Sequence, residues 1–117
     1  IKQLKEGEKV TIQGDGSAVR GFLHVDDTVS AFEKILENGV VGEIYNIGCD
    51  EHMEYSVMDV AKCLIRLIHH TDDYKQWITY IPDRPYNDKR YYISNQKLKQ
   101  LGWTINIPFQ EGLEKMI

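Results

Sequence analysis

Nine consecutive residues, Asp83-Arg84-Pro85-Tyr86-Asn87-Asp88-Lys89-Arg90-Tyr91, hold three cations and two carboxylates. An arginine presents a planar fork of donors that matches a phosphate. The proline after Arg84 biases its backbone toward an extended conformation. Such a segment could hold an anion. The other reading is a solvated loop whose Asp and Arg side chains pair with each other. Pro82 and Pro85 fix φ and donate no ladder hydrogen bond, so an ordered loop is expected between two β-prone runs, residues 78–81 and 91–93.

The elements that must position this loop are short. Residues 1–6 read as a helix closed by Gly7, and 9–13 alternate as a strand. Gly14-Asp15-Gly16-Ser17 is turn chemistry. It is not a dinucleotide fingerprint, because residue 19 is Val and a strand follows, so a glycine-rich hairpin turn is expected. A strand over 19–25 leads to a helix capped by Asp26, with Asp27 in its first turn. Val25, Val29, Phe32 and Leu36 mark that helix's apolar face, and Asn38-Gly39 ends it. Residues 43–48 read as a strand with a glycine exit, and Asn46 is expected to satisfy backbone groups near its end.

The helix from Ser56 to His70 is the clearest of the chain. Ser56 and Asp59 make a start resembling a capping box, and Val57, Val60, Ala61, Leu64 and Ile68 form one core stripe. His69 and His70 are adjacent, point to different faces and lack a third ligand, so no metal site is expected there. A short helix begins at Ser94 or Asn95 and stops at Gly102. After an unpaired strand at 104–105, Pro108 suits position N1 of a last helix with Phe109, Gly112, Leu113 and Met116 inward. Short strands alternating with helices make the fold class α/β.

Composition narrows the partners. A length of 117 residues suits one ordinary domain. A net charge of −4 leaves no general nucleic-acid footprint, so an anion site must be local. No apolar run reaches the ~20 residues of a membrane span, and no signal peptide opens the sequence. Cys49 and Cys63 lack a Cys-x-x-Cys arrangement and read as reduced thiols of a cytoplasmic protein. Helical patterns at both ends look cut, as in a fragment.

The run Asp83-Arg84-Pro85-x-x-Asp88-x-Arg90-Tyr91 resembles the signature of the nucleoside-diphosphate-glucose 4,6-dehydratases, which are extended short-chain dehydrogenases. Bacterial dTDP-glucose enzymes carry Gly-His where this chain has Tyr86-Asn87. Plant UDP-rhamnose synthases and animal relatives are more similar there. Gly14-Asp15-Gly16…Arg20-x-Phe22-x-x-Val25-x-Asp27, Tyr45-Asn46-Ile47-Gly48 and Leu101-Gly102-Trp103 resemble runs found across the nucleotide-sugar branch, in epimerases and decarboxylases as well. The resemblance covers residues 1–117 and implies a single C-terminal nucleotide-sugar-binding domain, with the N-terminal Rossmann half absent from this chain.

That resemblance implies a lyase that oxidises the glucose C4 hydroxyl with NAD, eliminates water across C5–C6 and returns the hydride to C6. A Gly-rich turn for NAD and a Tyr with Lys at i+4 are then required. None of the seven tyrosines has Lys at i+4. Catalytic and NAD-binding residues are therefore expected upstream, with none in this chain. The resemblance assigns it the substrate side. Thr11, Ile12 and Gln13 align with residues that line the nucleobase, and Arg20 and Arg84 with two arginines that bind the diphosphate. Asp83 and Asn87 flank Arg84, and Tyr55 falls where bacterial relatives carry a ligand-binding Asn. The implied partners are a dTDP- or UDP-sugar and, for the full-length enzyme, a second copy in a homodimer. The alternatives are a sister epimerase or decarboxylase, and a non-catalytic nucleotide-sugar-binding module.

Overall fold

Ser56 Oγ accepts a hydrogen bond from the Asp59 amide at 3.0 Å, and an Asp59 carboxylate oxygen accepts from the Ser56 amide at 3.4 Å. This reciprocal pair satisfies two orphan donors and fixes the start of a helix over Val57–His69, as the spacing predicts. In the computed structural model, residues 1–90 and 92–117 are described. Among them the helices are α1 (Lys2–Lys5), α2 (Val25–Asn38), α3 (Val57–His69), α4 (Gln96–Gln100) and α5 (Phe109–Met116). The strands are β1 (Val10–Gln13), β2 (Val19–Gly21), β3 (Glu54–Ser56) and β4 (Ile78–Ile81). β1 pairs with β4, and β2 with β3.

The chain divides into two compact units. The first is Ile1–Arg20, Tyr55–Tyr91 and Leu113–Ile117, and the second Gly21–Glu54 and Tyr92–Gly112.

In the first unit β1 and β4 run parallel, in register from Val10↔Ile78 to Gln13↔Ile81. Parallel strands need a crossover, and α3 supplies it, packing against β1 and α1. Leu4, Ile12, Ala61, Leu64, Ile65 and Ile78 are the buried apolar residues of these elements. Ile65 and Ile12 are 0% and 1% exposed, and each contributes roughly 1.5–3 kcal/mol of burial. The deepest line of α3 is thus Ala61, Leu64 and Ile65, while Val57, Val60 and Ile68 of the expected stripe are half-buried. His69 lies flat on Trp77, ring centroids 3.7 Å apart and planes 8° from parallel, so it belongs to packing.

In the second unit α2 begins one residue before Asp26. His24 is its cap, with Nδ1 accepting from the Asp26 amide at 3.1 Å, so Asp26 is not the cap that the sequence suggests. Asp27 is 2% exposed. Its two carboxylate oxygens accept from the Asn106 and Ile107 amides, both at 3.0 Å. Trp103 Nε1 donates to the Asp27 carbonyl and to Ser30 Oγ. Ala31, Leu98 and Trp103 form the core here, with Ile35, Ile47 and Leu101 packed around it.

The inward line of α2 is therefore Asp27, Ala31 and Ile35. The expected apolar face is the outward one: Val25, Val29, Phe32 and Leu36 are all more than half exposed. A buried carboxylate tied to two amides, beside a main-chain carbonyl that takes the Trp103 indole, decides which side of α2 turns inward, against the hydropathy pattern.

Other expectations also change. Residues 43–48 are irregular, with no partner strand among the described residues, and a ladder exists only where a partner supplies it. Asn46 is exposed. The buried amide of this region is Asn95, whose Nδ2 donates to the Gly48 carbonyl and to Asp50 Oδ1. The strand after residue 19 stops at Gly21, and residues 92 and 93 are not a strand, while Tyr91 of that expected run lies outside the described residues. The turn at Gly14–Ser17 does not close a hairpin, because β1 and β2 belong to different sheets. Pro108 accepts the first helical bond of α5, from the Gly112 amide at 2.9 Å, and so sits at the cap, just before N1. Gly21 is pressed against Cys49, where a Cβ would stand 2.4 Å from the sulfur.

Candidate functional site

The site is built where β1 and β4 end side by side. The Gly14 amide donates to the Ile81 carbonyl at 2.9 Å, so the turn after β1 and the loop after β4 leave the sheet at one level. Gly14 has φ +61, a left-handed conformation that glycine adopts without a Cβ clash. A Cβ there would also stand 3.1 Å from an Asp83 carboxylate oxygen. Between turn and loop lies a cleft of about 360 Å³, with Gln13, Gly14, Asp15 and Ser17 on one wall and Asp83, Asn87 and Lys89 on the other. Ligands of α/β sheets bind outside the carboxyl ends of parallel strands, which is where this cleft opens.

Asn87 is the centre of the loop. Its Oδ1 accepts from Arg20 Nη2 at 2.9 Å and from Arg84 Nε at 3.1 Å, so two guanidiniums meet at one neutral oxygen. Its Nδ2 donates to Asp83 Oδ1 at 3.1 Å, the same oxygen that takes the Arg84 amide at 2.9 Å. Among the described residues the Arg84 side chain makes no ion pair with Asp83 or Asp88, the pairing that a solvated loop would favour. Two like charges held at one neutral oxygen repel, and by less where water screens them. An anion between them would reverse the sign.

The opposite wall carries charge as well. The Ser17 hydrogen bonds hold the Asp15 carboxyl below its ordinary range, with the Lys89 charge adding to them. Lys89 Nζ donates to Ser17 Oγ at 3.3 Å, and the Val19 amide to the Lys89 carbonyl at 2.6 Å.

Of the eight candidate residues, Gln13, Asp83 and Asn87 line the cleft, and Arg20 and Arg84 reach it through Asn87. Thr11 shares the exposed side of β1 with Gln13. Ile12 points the other way into the core, so only its backbone is open to a ligand. Tyr55 is half-buried in β3, off the cleft wall. Asp15, Ser17 and Lys89 were not among the candidates. Their signal was present in the Gly14–Ser17 turn and in the second cation of the loop. It became a wall only through the β1–β4 register.

The second unit has a cleft of about 440 Å³ bordered by Asp50, Tyr92, Asn95 and Lys99. Lys99 is already paired with Asp50 there. Burial raises the Asp50 carboxyl, but the bonds from Asn95 and Lys99 and the Lys99 charge outweigh it and hold Asp50 below its ordinary range.

Neither long helix offers the glycine-led N-terminus that a dinucleotide pyrophosphate needs. His24 and Ser56 occupy the first amides of α2 and α3, and Asp26, Asp27 and Asp59 place negative charge in the first turns. No cluster of three metal-ligating side chains occurs among the described residues, and no described helix is long and apolar enough to cross a membrane.

Known proteins share this fold. The chain is similar to the dTDP-glucose 4,6-dehydratase of Bacillus anthracis, solved in complex with NAD: TM-score 0.86, 36% identity, 97% of this chain and 35% of that one. It is thus the C-terminal part of a Rossmann-type extended short-chain dehydrogenase fold. The sequence matches the GDP-mannose 4,6 dehydratase family over residues 1–116, and the chain belongs to that family. It is 42% identical to the bovine dTDP-D-glucose 4,6-dehydratase, over all of this chain and 33% of that protein. It is 43% identical, over 93% of its length, to a trifunctional protein of Arabidopsis thaliana whose first activity is UDP-glucose 4,6-dehydratase. The chain spans about a third of the length of the bovine relative.

Proposed function

We propose that this chain is the substrate-binding C-terminal portion of a nucleoside-diphosphate-glucose 4,6-dehydratase, a lyase that converts dTDP- or UDP-glucose to the 4-keto-6-deoxy sugar with loss of water. The observation that carries the reading is the sharing of Asn87 Oδ1 by Arg20 and Arg84. A diphosphate offers several anionic oxygens to that pair, and charge-assisted bonds to it are stronger than those to a neutral amide oxygen. Asn87 is the placeholder that keeps the two forks together until the ligand arrives. Thr11 and Gln13, on the exposed side of β1, then face the nucleoside, with the Ile12 backbone between them. Asp83 orients Asn87 and the Arg84 amide.

The redox chemistry of such an enzyme comes from NAD. The closed helix starts of this chain do not suit that cofactor, so its binding residues, and those that move protons, belong to the rest of a full-length, homodimeric enzyme. This chain selects the nucleotide sugar and holds it.

The test is affinity for UDP and dTDP in the full-length protein, measured beside thermal melting. Arg84→Ala should weaken binding about 10-fold to 100-fold, the loss of one charge-assisted contact, and Arg20→Ala by a similar amount. Arg84→Lys should recover part, because an ammonium lacks the fork. Unchanged affinity in both alanine variants would overturn the diphosphate assignment. A product that keeps its C6 oxygen would place the enzyme among the sister epimerases instead.

A further inference from the structure

Tyr86 is a feature of the loop that the diphosphate reading leaves unused. Its φ is +59, the left-handed region that a bulky side chain adopts at a steric cost. Its ring is fully exposed, at 102% of the reference area, so no packing within the chain offsets that cost. The conformation is held from both sides: Asp83 Oδ1 grips the Arg84 amide and Asn87 Nδ2, and Asn87 Oδ1 holds the two guanidiniums. Two residues before Tyr86 is one diphosphate arginine, and the next residue is the shared acceptor. The loop also leaves the sheet beside Gln13, where the Gly14 amide meets the Ile81 carbonyl. A strained, exposed aromatic next to an anion site is arranged for a partner from outside the chain.

We propose that Tyr86 is a further binding residue whose ring stacks on the nucleobase of the nucleotide diphosphate held by Arg20 and Arg84. The inference rests on the nucleotide-sugar reading above and assigns it a further contact. Of the parts of such a ligand, the base has the flat π-face on which a tyrosine ring stacks best, and every base has one. The left-handed backbone at 86 is what raises the ring clear of the loop. A glycine would relax the backbone but supply no ring.

The experiment is calorimetric titration of the full-length protein with UDP and with inorganic pyrophosphate, for wild type, Tyr86→Ala, Tyr86→Phe and Tyr86→Gly, with melting curves. Tyr86→Ala should weaken UDP about 5-fold to 100-fold, the span of base–aromatic stacking, and leave pyrophosphate within about 2-fold. Tyr86→Phe should bind UDP like wild type. Tyr86→Gly should melt no lower than wild type yet bind UDP as poorly as Tyr86→Ala. Unchanged UDP affinity in Tyr86→Ala overturns the proposal and leaves the diphosphate site standing. So does an equal loss for UDP and pyrophosphate, which would mean that the variant disturbs the arginines. A wild type that binds neither ligand overturns the nucleotide-sugar reading and the role of Tyr86 with it.

Discussion

Asp27 and Asn87 are both polar hubs that tie separate stretches of chain together, and they do it with opposite materials. Asp27 is a buried carboxylate whose oxygens are taken by main-chain amides of residues 106 and 107. Asn87 is a half-buried amide whose oxygen is taken by two charged side chains. A charge answered by fixed backbone donors has nothing left to offer and works as a structural rivet. A neutral acceptor between two cations holds geometry without bringing a charge of its own to them. Asp50 lies between these cases, because its partners are one amide side chain and one lysine.

Breaking the rivet should have the largest effect. Asp27→Ala leaves two amides of the 106–107 turn without acceptors and should cost about 3 kcal/mol or more, read by chemical denaturation. Asp27→Asn keeps one acceptor oxygen and should lose roughly half as much. A loss below about 1 kcal/mol for the alanine variant would mean that Trp103 and Leu98 hold the second unit without it.

Turning one hub into the other is the next test. Asn87→Asp places a carboxylate between Arg20 and Arg84. It should leave the fold intact or slightly more stable and weaken UDP binding by about 10-fold or more, because the anion site is then filled from within. Stronger binding in this variant would sink the idea that a neutral acceptor between Arg20 and Arg84 is what suits the loop to an anionic ligand.

The smallest effect belongs to Asp50. Its carboxyl is depressed in the folded chain, so it adds stability that is present above the unfolded value of about 3.9 and fades as pH falls through the lower folded value. Replacing Lys99 by Met should remove part of that acid dependence and cost less than about 1 kcal/mol at pH 7, since both side chains are partly exposed. An acid-denaturation profile unchanged by Lys99→Met would show that Asn95 alone sets Asp50.

Much of this was legible in the sequence, and the residues that were not share a cause. Ser56 and Asp59 announced α3 because a capping box is local, written within four residues. The Asp83–Arg90 loop was legible for the same reason, as were Gly7 and Gly102 as helix stops. The face of α2 was not, because Asp27 turns it inward through amides near residue 106, and nothing in the Val25–Leu36 spacing carries that contact. Residues 43–48 have strand propensity, but pairing depends on a neighbour rather than on propensity. In the site, Arg20 and Arg84 could be named from the sequence. Their convergence on one oxygen could not, because it depends on the long-range pairing of Val19 in β2 with Lys89 in the loop. Ile12 shows the same limit from the other side: the resemblance of the Thr11–Gln13 run to residues that line a nucleobase says nothing of the pleat that points its side chain away.

Gly21 and Cys49 carry a consequence for how this protein can vary. A single methyl group at position 21 would stand 2.4 Å from the Cys49 sulfur, closer than any van der Waals contact allows. Burial also pushes the Cys49 thiol up, so it sits there as a small neutral filler. A side chain at 21 therefore needs the Cys49 sulfur turned aside or removed, whereas position 49 can become smaller by itself. Across relatives, a residue with a side chain at 21 should occur together with glycine or alanine at 49. A chain that acquires the first change without the second must rotate the cysteine, move its backbone or lose the fit.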